Sequence, residues 1–340
     1  MLPDYFSPGE LVTDLRNLAE STRMTSNERG DEQAVVKRLR AQIEMLLQRI
    51  PSERRDDGCD GWLERADVAA ALGFAYGEGR QFADAVQWLN KALGAAVGDC
   101  PIRAAEQCAN FEVRLAAQEW VALQRTPARG GRARPPSPEL QRRIVARIEA
   151  GLRELESINA RATTPDRLGL LGSACKRLAW VQTERPARID ALLKMAGYHR
   201  SAYDLGGQID SYAFNNWAIA CLLLAHEEPA YERGNWRPVL VEMCERQNQT
   251  TLALGEDDPS LWRSTGPADI EVVLLLAADD AAHCQLHAER AAELYRAAFE
   301  RGASLREIAS IQEHLDFLLA LTRGWPPQVG SALEVIRAAL

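Results

Sequence analysis

Lysine is scarce in this chain: only four of its 40 basic residues are lysine (Lys37, Lys91, Lys176 and Lys194), and none follows the GxxxxGK[ST] spacing of a phosphate-binding loop. Nucleotide hydrolysis of that kind is excluded. Histidine numbers five, and there is no HExxH helix, GxSxG elbow or GxGxxG fingerprint; His226-Glu227 lacks a second histidine four residues on. Long apolar runs are missing too. The most apolar stretch, 272–278, falls well short of the roughly 18 residues that span a bilayer. No basic segment leads into an apolar one at the start, so no secretory signal is expected and the expected location is the cytoplasm. The seven cysteines (59, 100, 108, 175, 221, 244, 284) are odd in number and form no CxxC pair, which predicts reduced, buried thiols and no disulfide framework. A net charge of −8 argues against general affinity for nucleic acid or anionic membrane.

What is present is helical periodicity, clearest over residues 66–99. Leu72, Gly73, Tyr76, Ala85, Leu89 and Ala92 are spaced as the packing positions of a helical hairpin. Gly73 lets the two helices approach, Tyr76 fills the space between them, and the small Ala85 and Ala92 let the second helix nest into the first. The pattern resembles a tetratricopeptide repeat. Such a unit cannot bury its apolar face alone, so neighbouring hairpins are expected to stack on it. The predicted class is all-α: tetratricopeptide-like hairpins stacked into a solenoid of about a dozen or more helices.

The rest of the chain extends this reading. An apolar stripe through Val35, Leu39, Ile43 and Leu46 predicts a helix ended by Pro51, with a shorter helix over about 9–22 before it and a charged loop over 52–61 after it. The hairpin is expected over 62–77 and 81–97, turned at Gly77, Gly79 and Arg80, with the next helix over 101–124. Four prolines, two glycines and three arginines in 126–138 read as a linker. The expected organisation is therefore N-terminal helices (1–61), hairpin and following helix (62–125), linker (126–138), and an irregular helical region (139–340). In that last region helices are expected over 139–160, 165–181, 186–205, 212–225, 237–254, 305–322 and 328–340. Leu171-Gly172 repeats Leu72-Gly73, with Cys175 in the place of Tyr76, and Ala291, Tyr295 and Ala298 repeat the second-helix spacing with Gly302 as the stop.

Segments 166–180, 198–207, 211–224 and 294–321 are similar to bacterial tetratricopeptide regions attached to, or encoded with, CHAT or caspase-like peptidases in defence systems. That resemblance implies a sensor or adaptor whose partner is such a peptidase. The peptidase itself needs a histidine base and a cysteine nucleophile held by a parallel sheet, and no β/α segment is legible here. The expectation is a non-catalytic protein without a cofactor.

Three constellations are candidates for a site. On the inner face of successive hairpins, Asp166, Ser173, Lys176, Arg177, Asn215 and Asn216 are expected to hold an acidic or C-terminal peptide, since cationic side chains pair with carboxylates and the asparagine amide can hold peptide backbone. His283 and His287, four apart on one helix face with Cys284 beside them, form an alternative zinc pair if His314 or a carboxylate supplies a further ligand. Eight tryptophans (62, 88, 120, 180, 217, 236, 262, 325) read as core filling; with the arginine-rich linker they form a third reading, a nucleic-acid-sensing scaffold, which the net acidity opposes.

Overall fold

The structure, a computed structural model, describes residues 3–21, 31–55, 61–125, 137–228, 236–253, 261–301 and 303–340. Among these the fold is all-α, with no strand. Most of the linker expected over 126–138, the Gly302 stop, Cys59 and the side chains of Trp236 and Trp262 lie outside the described residues. The chain divides into two compact units, 1–119 with 302–307, and 120–301 with 308–340.

The first unit contains α1 (Pro8–Ser21), α2 (Glu32–Leu47), the short α3 (Ser52–Arg55), a single 3-10 turn at Trp62–Glu64, α4 (Ala66–Glu78), α5 (Phe82–Gly94) and most of α6 (Ile102–Arg125). Its centre is α4, apolar around nearly its whole circumference because it is covered on both sides. Val68, Leu72 and Ala75 meet Leu11, Leu15, Leu39 and Ile43 of α1 and α2. Ala69 and Ala70 meet Phe82, Leu89, Cys108 and Phe111 of α5 and α6. Tyr76 touches both clusters, as its inter-helix position predicts. A Cβ on Gly73 would lie 2.6 Å from Leu89 Cγ, so the glycine is what allows α4 and α5 this separation. The turn is tighter than the sequence suggests: Gly77 is still helical and its missing side chain makes room for Phe111, while the reversal is made by Gly79 and by Arg80 at a φ of 58°. The charged segment expected as loop from residue 52 begins instead with α3, whose Arg55 guanidinium donates to the carbonyls of Gln48 and Ile50 at 2.9 and 3.1 Å.

The second unit takes in the end of α6 and then α7 (Pro138–Arg161), α8 (Pro165–Val181), α9 (Arg185–Leu205), α10 (Ser211–Glu227), α11 (Trp236–Ala253), α12 (Leu261–Ala277), α13 (Ala281–Glu300), most of α14 (Leu305–Leu321) and α15 (Pro327–Ala338). Helices adjacent in sequence pack on one another, α8 on α9 most extensively and α9 on α10 and α12 on α13 next. The α7 and α8 starts are set by side chains: Ser137 accepts from Leu140 N–H and Thr164 from Arg167 N–H, each followed by a proline in the first turn. One helix is unanticipated. α12 runs through Gly266-Pro267, a pair that reads as a break in sequence, and it supplies the first helix of the hairpin whose second is α13. Ala291, Tyr295 and Ala298 are buried on α13.

Candidate functional site

α8 is deeply enclosed: every residue from Leu171 to Val181 is buried, polar ones included. This overturns the placement expected for the peptide-holding set. Ser173, Lys176 and Arg177 on α8 and Asn215 and Asn216 on α10 are all buried, and only Asp166, in the first turn of α8, is exposed. The physical reason is that α8 is covered by α7 and α9 and its charged residues reach α14, so they line an internal polar seam and present no open inner face.

The seam is built from paired groups. The Lys176 ammonium lies 3.2 Å from His314 Nδ1 and donates to it, which leaves the imidazole proton on Nε2. Arg177 Nε is 2.7 Å from Glu313 Oε1, and its Nη1 donates to the Ser173 carbonyl at 3.1 Å. The Ser173 and Tyr212 hydroxyls are 2.6 Å apart. Asn216 Nδ2 donates to the Tyr212 carbonyl at 2.9 Å, and Asn215 Nδ2 donates to the Gly266 carbonyl of α12 at 3.4 Å. The Tyr295 hydroxyl donates to Asp269. Against the α8 face, His199 of α9 is wholly buried, its ring edge-on to Tyr212 at 5.7 Å, with neither ring nitrogen hydrogen-bonded. A Cβ on Gly172 would lie 2.5 Å from that imidazole, so Gly172 does for α8 and α9 what Gly73 does for α4 and α5.

Burial governs the electrostatics. It lowers His199 to about 3, with the nearby Lys176 ammonium adding to the effect, and lowers His314 well below the usual histidine range for the same two reasons. Both imidazoles are neutral at pH 7. Burial also raises the Asp269 carboxyl to about 6, against the opposing Tyr295 hydrogen bond and Lys176 charge. The Cys175 and Cys244 thiols are pushed up to about 12, the reverse of what activates a thiolate nucleophile. The seam joins α8 to α14 through the Lys176–His314 and Arg177–Glu313 contacts.

The histidine pair on α13 is also placed differently from a metal site. His283 Nδ1 lies 2.7 Å from Asp280, whose carboxylate also caps α13 by accepting from the His283 N–H at 2.9 Å. His287 Nδ1 lies 2.6 Å from Glu271. Cys284 turns into the core, its Sγ 3.8 Å from the Leu275 carbonyl, and His314 is held by Lys176. Among the described residues no group of three or more His, Cys, Asp or Glu side chains is arranged to hold a metal ion. The groups that sequence reasoning missed are His199, Asp269, Tyr212 and Glu313; of these only His199 had a local signal, facing Leu171-Gly172 as Leu89 faces Leu72-Gly73.

Residues 81–223 match the family model described as Tetratricopeptide Repeats-Sensor. The match runs from α5 into α10 and so takes in the α8/α9 hairpin and the α10 asparagines. The matched segment contains Lys176, Arg177 and His199, while His314 and Glu313, which face Lys176 and Arg177, lie beyond it. No curated protein matches the chain. Among solved structures it is similar to the nuclear import adaptor Nro1 of S. pombe, at 16% identity over 95% of this chain and 98% of that one, with a TM-score of 0.41. Among the described residues no helix is long and apolar enough to cross a membrane.

Proposed function

We propose that this protein is a non-catalytic scaffold that holds a partner protein and relays a signal to it. The observation that carries the reading is the match of 81–223 to the sensor-type tetratricopeptide model, on a segment whose helices form close-packed antiparallel hairpins. Stacked helical hairpins offer extended surface with little buried chemistry, and their use is recognition. The partner we propose is a CHAT or caspase-like peptidase carried on another chain of a bacterial defence or stress module, on the strength of the likeness over 166–180, 198–207, 211–224 and 294–321. The cytoplasm is the compartment this reading requires.

The test is affinity purification of the tagged protein from its own host at moderate salt, with mass spectrometry of what stays bound. Near-equal recovery of a peptidase supports the full reading. Recovery of a different protein keeps the scaffold and removes the peptidase; recovery of the protein alone, with and without the stress that triggers the module, sinks both.

A further inference from the structure

Residues 3–7 lie ahead of α1, and the helix does not extend back over them, because Pro8 opens it and biases Ser7 away from helical backbone. The segment carries two adjacent aromatics in opposite settings. Tyr5 is 4% exposed and belongs to the apolar cluster of Leu11 and Leu15 on α1, Ile43 on α2 and Ile50 just beyond it, whereas Phe6 is 90% exposed. The hydroxyl accounts for the choice. It donates to Asp14 Oδ2 of α1 at 2.7 Å and accepts from Arg49 Nη1 at 3.0 Å, two bonds that a phenylalanine in that position would leave unmade.

Arg49, two residues past the end of α2, gathers the ties of this segment. Its Nε donates to the Pro3 carbonyl at 3.0 Å, its Nη1 also donates to Asp14 Oδ2 at 3.0 Å, and its own carbonyl accepts from the Tyr5 N–H at 2.9 Å. The guanidinium carbon lies 3.9 Å from the Tyr5 ring centre. Among the described residues, each hydrogen bond from 3–5 to the helices ends on Arg49 or on the Asp14 carboxylate that Arg49 holds. The Phe6 N–H reaches only Glu10, at the exposed surface. A segment tied down through one side chain can open at much less cost than the helices beneath it. We infer that residues 3–7 form a strap, latched by Arg49, that opens and closes over the apolar joint of α1 and α2 while α4 and α5 stay folded. Shut, it seals the joint with Tyr5; open, it bares the apolar residues that Tyr5 covers.

The test is hydrogen exchange with mass spectrometry on the full chain, comparing peptides that cover residues 3–10 with peptides from α4. In Arg49→Met the amides of the strap are expected to exchange about tenfold faster, with those of α4 unchanged. Two milder variants keep the helices' surroundings nearly intact. Arg49→Lys, whose ammonium lacks the planar fork, and Tyr5→Phe, which keeps the ring and removes the hydroxyl, are each expected to speed strap exchange about threefold. Arg40→Met, which breaks the exposed pair of α2 with Asp84, is expected to leave the strap as it is in the parent. Strap exchange unaltered in all three latch variants overturns the proposal. So does acceleration of α4 in step with the strap in Arg49→Lys and Tyr5→Phe, since strap and hairpin would then open as one cooperative unit.

Discussion

The α4/α5 and α8/α9 hairpins both place a glycine where their helices come nearest, and they differ in what lies across it. Gly73 faces the apolar Leu89, in a joint whose neighbours are alanine, phenylalanine and leucine. Gly172 faces the His199 imidazole, in a joint that continues into Lys176, Arg177 and Tyr212. Steric closeness is thus a property of the repeat, while the chemistry pressed into the close contact differs from one hairpin to the next. The joint of the first hairpin buries apolar surface. The second buries charges and stands only while each has its counterpart.

Removing one member of a buried pair is the most severe way to break that distinction. Arg177→Met is expected to destabilise the protein by about 3–5 kcal/mol, because it removes the guanidinium 2.7 Å from Glu313 in a largely enclosed position. The urea midpoint measures it, and a loss below about 1 kcal/mol would mean that the seam does not hold α14 to α8. Adding a methyl at either glycine tests closeness itself. Gly73→Ala and Gly172→Ala are each expected to cost about 1–3 kcal/mol by overpacking, and the Gly172→Ala loss should be recovered in combination with His199→Ala, which vacates the space. Converting the second joint to the chemistry of the first is the next smaller step. His199→Leu removes an imidazole with no hydrogen-bond partner and is expected to gain about 1 kcal/mol. A loss would show that the ring contributes through its edge-on contact with Tyr212.

A pH dependence carried by groups of the second unit is also expected. His199 has a folded-state value of about 3, below its ordinary 6.5, so the unfolded chain binds more protons between those values and stability falls as pH drops through that window. His314, lowered in the same direction, acts with it. Asp269, raised from 3.8 to about 6, opposes them: the folded protein binds the extra proton between those values, so this group adds stability as pH drops. Denaturant midpoints at pH 6.5 and 4.5 are expected to fall with acidification in the parent, to fall further in Asp269→Asn, and to fall less in His199→Leu. Identical slopes in all three would show that these groups are solvated.

The first hairpin was legible because its determinants are local. Small and large residues at fixed spacing between 66 and 99 define both helices and their contact, although the turn glycine Gly77 proved to be a helical residue opposite Phe111. The limits of α8 were legible for a similar reason, since Thr164 and Pro165 start it and Val181 closes its apolar run. α12 was not, because Gly266-Pro267 carries the local signature of a break and the helix persists through packing against α10, α11 and α13. The burial of Lys176 and Arg177 could not be read from their surroundings at all. A charged residue on a helix looks solvated until its partner is known, and theirs lie on α14, at the far end of the chain.

That separation has a consequence for how the molecule comes into being. The first hairpin closes on itself, with the Ala66 N–H donating to the Val97 carbonyl at 2.8 Å, so its contacts are available as soon as its own residues have left the ribosome. Lys176 must wait for His314, 138 residues later. During that interval α8 is an emerged segment with no α14 to cover it, and its ammonium and guanidinium groups stay hydrated until α14 is made. A helix apolar at those positions would spend the same interval as exposed sticky surface. The charges that make α8 costly to bury are what let it remain soluble while synthesis catches up.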